Sequence, residues 1–137
     1  MTPEILARIT AARAARDLSD LARQALATTA ETTSPTERIH AARRLRQMAN
    51  ELVDVVVLAE ALGGASWEEI TKALGRREPG TVEREFRDDV AEWSRLPEDR
   101  MEAAAAGAED LDQWYARHRE DHDPASPSPV SDLLNRR

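Results

Sequence analysis

The chain is predicted to be all-α: a long antiparallel helical hairpin, then a helix-turn-helix module, then a C-terminal helix. Three observations carry this. Ala and Arg are abundant while the strand-favouring Ile, Val, Tyr and Phe are sparse, and aromatic residues make up only 4%. Apolar residues recur at steps of three and four over most of the chain. Capping signals stand where each periodic run begins. A length of 137 residues fits one small domain with extensions and leaves no room for a large catalytic domain beside the module.

The first helix opens at Thr2-Pro3-Glu4. Thr2 is a side-chain cap, Pro3 occupies the first helical position without losing a needed donor, and Glu4 complements the positive end of the helix dipole. Ile5, Ile9, Ala12, Ala15, Leu18, Ala22 and Ala25 continue as its apolar stripe toward Thr28 and Thr29. Thr32, Thr33, Ser34 and Pro35 break the pattern. Ser34-Pro-Thr-Glu37 is a capping box that starts the second helix.

In that second helix Ile39, Ala42, Leu45, Met48, Ala49, Leu52, Val55, Val56, Ala59 and Leu62 are apolar as far as Gly63-Gly64. Around Val53 to Leu58 nearly every side is apolar except Asp54, which predicts enclosure by other helices or by a second chain. Each helix spans roughly 40 Å at 1.5 Å per residue. A hairpin of two such helices, residues 1–62, leaves much apolar surface wet, so the expected state is a homodimer formed through it.

Residues 63–95 read as a short capped helix, a polar turn and a longer helix. Ser66 with Glu69 is a second capping-box pattern, Ile70, Ala73 and Leu74 form a buried face, and Gly75 is placed to end the helix in a left-handed conformation. Val82, Phe86, Val90 and Trp93 share one face of the following helix, which leaves Thr81, Arg84, Glu85 and Asp88 opposite.

Leu96-Pro97 marks the next boundary. Met101, Ala104, Ala108, Leu111, Trp114 and Tyr115 are the apolar stripe of a last helix over 96–120, in which Gly107 is only a weak point. The run DHDPASPSPVSDLLNRR, 121–137, is rich in Pro, Ser and Asp and is expected to be flexible; Val130 to Leu134 is either a short recognition segment or inert tail.

The run Gly64-Ala65-Ser66-Trp67-Glu68-Glu69-Ile70-Thr71-Lys72-Ala73-Leu74-Gly75 resembles the first helix and turn glycine of small helix-turn-helix regulators of high-GC actinobacteria. These are similar to the DNA-binding region 4 of sigma factors, and the resemblance extends to Phe86. It implies that Ser66 to Leu74 crosses the phosphate backbone while the helix starting near Pro79 enters the major groove of double-stranded DNA. Arg76 stands where the family has an apolar residue, so Arg76 to Gly80 reads as a lengthened turn.

The candidate DNA-binding residues are Arg76, Arg77, Thr81 and Arg84, with Lys72 and Arg87 on phosphates. Glu83, Glu85, Asp88 and Asp89 oppose that reading and suit a protein-facing surface. The second reading is therefore an acidic interaction module that binds a transcription component or another protein partner, with the acidic C-terminal region as a contact. A net charge of -7 means that any DNA contact comes from a local basic surface. A further cluster, Arg38, His40, Arg43, Arg44 and Arg46, either pairs with the acidic C-terminal third or adds phosphate contacts through Arg43 and Arg44.

Other chemistry finds little footing. The chain has no Cys, hence no disulfide and no thiolate zinc site. His118 and His122 are four apart but lack an obvious third ligand, so no metal or other cofactor is expected. Neighbouring carboxylates such as Glu68-Glu69 point apart on a helix, and neither a phosphate loop nor a nucleophile with its base is present; an enzyme is not expected. MTPEILARIT lacks a basic leader before a long apolar segment, and Val55 to Ala59 is too short to span a bilayer. The expected location is the cytoplasm, away from membranes.

Overall fold

The structure, a computed structural model, describes residues 2–30 and 32–135, the Ala104 side chain excepted. Its elements are α1 (Pro3–Ala27), α2 (Pro35–Leu62), α3 (Trp67–Ala73), α4 (Pro79–Trp93), α5 (Glu98–Ala105), α6 (Ala108–His118) and a 3₁₀ helix (Ser131–Asn135). The fold is all-α, with α1 and α2 packed along each other as an antiparallel hairpin.

The helix starts follow the capping signals. Thr2 Oγ1 accepts from the Ile5 N–H at 3.2 Å. The Ser34 box is complete: Glu37 N–H donates to Ser34 Oγ at 3.1 Å, and Ser34 N–H donates to the Glu37 carboxylate at 3.3 Å. At Ser66 only half the box forms. Ser66 Oγ accepts from the Glu69 N–H at 3.1 Å, while the Glu69 carboxylate meets the Ser66 hydroxyl at 3.2 Å in place of the Ser66 N–H.

Two helix ends are closed by left-handed glycines. Gly64 has φ 95° and Gly75 has φ 72°. At each, the next residue's N–H returns to a carbonyl five residues earlier, Ala65 to Glu60 and Arg76 to Thr71, both at 3.0 Å. This Schellman arrangement satisfies carbonyls that the helix leaves orphaned.

Along α1 the half-buried or buried positions facing the hairpin recur as Ala7, Ala11, Ala14, Leu18, Leu21 and Ala25. In α2 they recur as Ala41, Leu45, Met48, Leu52, Val55, Ala59 and Leu62. Alternating steps of three and four are the spacing of a coiled-coil seam. The stripes expected from sequence need correction here: Ala15 and Ala22 of α1 and Ile39 and Ala42 of α2 are exposed. An all-Ala surface has no polar face to fix its phase, so the apolar positions alone do not say which side is covered. At the open end, Arg8 joins the hairpin by pairing with Glu4 at 3.0 Å and Glu60 at 3.5 Å.

The hairpin base carries two cores. Ile5 and Ile9 of α1 pack with Ala108 and Leu111 of α6 and with Val130, while Ala12, Ala105 and Leu133 border them. Val57 of α2 packs with Ile70, Val82 and Phe86, bordered by Ala61, Ala65, Trp67, Leu74 and Val90. The last turns of α2 thus complete the core of α3 and α4, and the expected boundary at Gly63 runs through a shared core. Around the apolar stretch of α2, Val57, Leu58 and Ala59 are enclosed, whereas Val53 and Val56 are not.

The C-terminal region departs from expectation in two ways. The single helix over 96–120 is two helices, broken at Ala106–Gly107, where the Arg13 guanidinium lies so close that a Cβ on Gly107 would meet Arg13 Nη2 at 2.9 Å. The break lets both α5 and α6 wrap onto α1. The segment 121–135, expected to be flexible, is instead seated on the fold. Val130 is buried, the Val130 and Ser131 N–H groups donate to the Asp112 carboxylate at 2.8 and 3.1 Å, and the Tyr115 hydroxyl donates to the Pro124 carbonyl. Arg136 and Arg137 lie outside the described residues. Trp114 and Tyr115 are half-buried and, with Ala12, Ala15 and Pro129, border an apolar cleft of about 510 Å³.

Candidate nucleic-acid interface

The candidate surface is built by α3, the turn 74–78 and α4. Its inner side is fixed by packing: Val82 is 0% exposed, Phe86 is buried, and Trp67 stacks on Phe86 with ring centroids 6.4 Å apart. Val90 and Trp93 are half-buried along the same face, as their spacing predicts. On α3, Ile70 is buried and Leu74 half-buried, but Ala73 is exposed and Thr71 takes the buried place. Thr71 Oγ1 is buried without a hydrogen-bond partner.

With the inner side committed, the outer side of α4 is free. Arg77, Arg84 and Arg87 are exposed there, Lys72 is exposed in the last turn of α3, and Thr81 is half-buried in the first turn of α4. Arg84 folds back over that turn. Its Nη2 lies 3.3 Å from Thr81 Oγ1, and its Nη1 would stand 3.8 Å from a Cβ placed on Gly80. Glycine at position 80 keeps the space beneath the guanidinium clear.

The start of α4 is electrostatically open. Its N-cap Glu78 makes no side-chain cap bond, and no acidic residue stands in the first turn. Helix N-termini carry a partial positive charge that favours anions. The carboxylates of Glu83, Asp88, Asp89 and Glu92 are exposed further along the helix. Cations thus gather at one end of α4 and acids along the rest.

Arg76 is the exception among the sequence-predicted contacts. Its Nη1 is held by Glu85, 2.7 Å from Oε1 and 2.8 Å from Oε2. The pair bridges the turn to α4 and neutralises one of the opposing carboxylates. A nine-residue spacing across a turn has no periodic signature, so only the folded chain brings these two together.

Arg43 and Arg44 are not part of this patch. They are exposed on α2, and roughly 20 Å of helix axis separates them from Val57, where α4 packs. With His40 and Arg46 they line a shallow groove that continues past Asn50 to Glu51 and Asp54. Arg38 instead donates to the Thr33 carbonyl and hydroxyl, both at 2.9 Å. Among the described residues no ion pair links this basic cluster to the acidic C-terminal third.

The two C-terminal histidines do not converge. His118 ends α6, stacks on Trp114 at 4.5 Å and places Nδ1 2.7 Å from the Trp114 carbonyl, while His122 lies beyond the helix near Glu120 and Asp123. The four-residue step needs helix at both ends to align two rings, and α6 stops at the first. Among the described residues no group of three or more His, Asp or Glu is gathered to hold a metal ion. Nor is any helix long and apolar enough to cross a membrane.

Compared with known proteins, the chain matches no family model, and no curated protein or solved structure is significantly similar to it.

Proposed function

We propose that the chain is a sequence-specific DNA-binding transcriptional regulator that acts as a homodimer and presents α4 to the major groove. The observation that supports this best is the gradient of charge on α4: Arg77, Arg84 and the open N-terminus at one end, carboxylates along the rest. A recognition helix reads base edges chiefly with its N-terminal residues. That end is where the cations stand, so the acids further along are held back from the phosphates. In this reading Arg84 and Thr81 face base edges, while Arg77, Lys72 and Arg87 face phosphates.

A salt-series titration of the parent and an Arg77→Ala/Arg84→Ala variant against fragments of the source genome tests it. The parent is expected to bind more tightly as salt falls, and the variant to bind more weakly with a salt slope shallower by about two, near 0.9 for each lost phosphate contact. Absence of binding at low salt, or unchanged affinity in the variant, overturns the assignment.

One observation favours a second reading. Glu83, Asp88, Asp89 and Glu92 are all exposed on α4 in a chain of net charge -7, which suits a basic protein surface. The same fold then acts as an interaction module on a transcription component or other protein without touching DNA. The low-salt titration separates the two.

A further inference from the structure

Helix α2 carries two apolar seams, and the fold covers one. The covered seam faces α1. The other runs through Ile39, Ala42, Arg46, Ala49, Val53 and Val56, again in alternating steps of three and four. It stays outside: Ile39 is 58% exposed, Val53 47% and Val56 41%. Apolar positions at this spacing over more than two heptads are the pattern by which one helix grips another. At the seam's end, Val53 and Val56 join Ala73 and Leu74 of α3 in an apolar groove of about 370 Å³.

Charge says what fits. The first half of the exposed face of α2 carries His40, Arg43, Arg44 and Arg46, and the second half carries Glu51, Asp54 and Glu60. A parallel copy would stack cations on cations. An antiparallel copy sets each basic half beside an acidic half.

We propose that a second copy of this chain occupies the seam, α2 against α2 and antiparallel. Ile39 of each copy then fills the groove beside Val56 of the other. In that register Ala42 meets Val53 and Arg46 meets Ala49, so a small residue stands opposite a larger one at both inner layers. Ala49 leaves room for the Arg46 stem to lie across the seam while its guanidinium reaches water. The two-fold axis falls between Gln47 and Met48.

One consequence rests on the DNA-binding reading, although the dimer does not. Each α4 packs on its α2 at Val57 and Ala61. Those points lie roughly 17 Å along the helix from the two-fold axis at 1.5 Å per residue, so the two modules are set about 35 Å apart. Dimeric helix-turn-helix proteins bind half-sites about 34–36 Å apart, one turn of DNA. The antiparallel seam supplies that separation.

The chain contains no Cys, so engineered thiols report the register. The double variant Ile39→Cys/Val56→Cys, oxidised and run on a non-reducing gel, is expected to give a covalent dimer, and neither single variant is. Within one copy the two positions are roughly 26 Å apart, too far for a disulfide. A cross-link in either single variant indicates parallel or irregular pairing and overturns the proposal. So does a double variant that stays uncoupled.

Sedimentation of the unmodified protein gives a second measure. The expected mass is twice 15.3 kDa at micromolar concentration, falling to the monomer mass in Val53→Glu with helicity unchanged. A parent that is monomeric throughout overturns the proposal. DNA titration of the same samples keeps the two ideas apart. DNA binding without the cross-link removes the seam alone, and the cross-link without DNA binding removes the DNA reading alone.

Discussion

Arg76 in the turn and Glu85 on α4 form a two-oxygen ion pair, 2.7 and 2.8 Å from Arg76 Nη1. Each thereby restrains the other at the edge of the candidate interface. Because both are solvent-accessible, the pair contributes at most about 1 kcal/mol to stability. Glu85→Gln is therefore expected to leave the melting temperature nearly unchanged while releasing the Arg76 charge. Under the DNA-binding reading, affinity rises severalfold and the salt slope steepens by about one phosphate contact. For the same reason Arg76→Ala weakens binding less than Arg84→Ala does. Anisotropy titrations of the three variants check the order; an Arg76→Ala loss equal to or larger than that of Arg84→Ala contradicts it.

Asp112 holds the C-terminal segment. Its carboxylate is 6% exposed and accepts from both the Val130 and Ser131 N–H groups. Asp112→Ala leaves two amides without partners and is expected to cost about 1–3 kcal/mol. Because Val130 then loses its anchor, the loss is concentrated in the tail. Hydrogen exchange at Val130 and Ser131 accelerates far more than at Val82 or Phe86. Uniform acceleration at all four would show that the tail is an integral part of the global unfolding unit.

Gly75 adopts φ 72°, a region that costs an L side chain about 1 kcal/mol or more. Nothing stands within 4 Å of an added Cβ, so the cost of Gly75→Ala is purely conformational. Thermal unfolding is expected to show a loss of about 1 kcal/mol with the native circular-dichroism spectrum retained. Gly63→Ala differs in cause: its backbone is right-handed, but the new Cβ would meet Glu4 Oε1 at 2.7 Å. Moving the Glu4 side chain away in a Glu4→Ala background relieves Gly63→Ala and leaves Gly75→Ala unaffected.

Thr71 is buried at 3% exposure, with its hydroxyl unpartnered. Thr71→Val keeps the branched shape and removes the unsatisfied group, so stability is expected to rise by about 1 kcal/mol. A chemical-denaturation midpoint that falls would mean that the hydroxyl has a partner in solution, such as an ordered water.

Helix starts were legible because capping is local. Thr2, Ser34 and Ser66 each lie within three residues of the N–H they satisfy, and Gly75 sits next to the helix it ends. The inner face of α4 was legible for the same reason, since Val82, Phe86, Val90 and Trp93 follow one period. The candidate site was only half readable. Exposure of Arg77, Arg84 and Arg87 follows from the period of α4, but the engagement of Arg76 by Glu85 and the distance of Arg43 and Arg44 from α4 depend on how segments meet.

Local sequence by itself determined that this chain is helical, where its helices start and which residues of α4 point inward. These are matters of backbone hydrogen bonding and side-chain period over a few residues. Tertiary structure alone decided which of two apolar seams on α2 is covered, that the last helix breaks at Gly107 to follow α1, and that a Pro- and Ser-rich tail is held by Asp112. Those outcomes depend on contacts between residues up to a whole chain length apart, such as Ile5 with Val130. Composition records what such a segment prefers when it has no neighbour; burial of one valine and two charge-assisted hydrogen bonds are enough to override it.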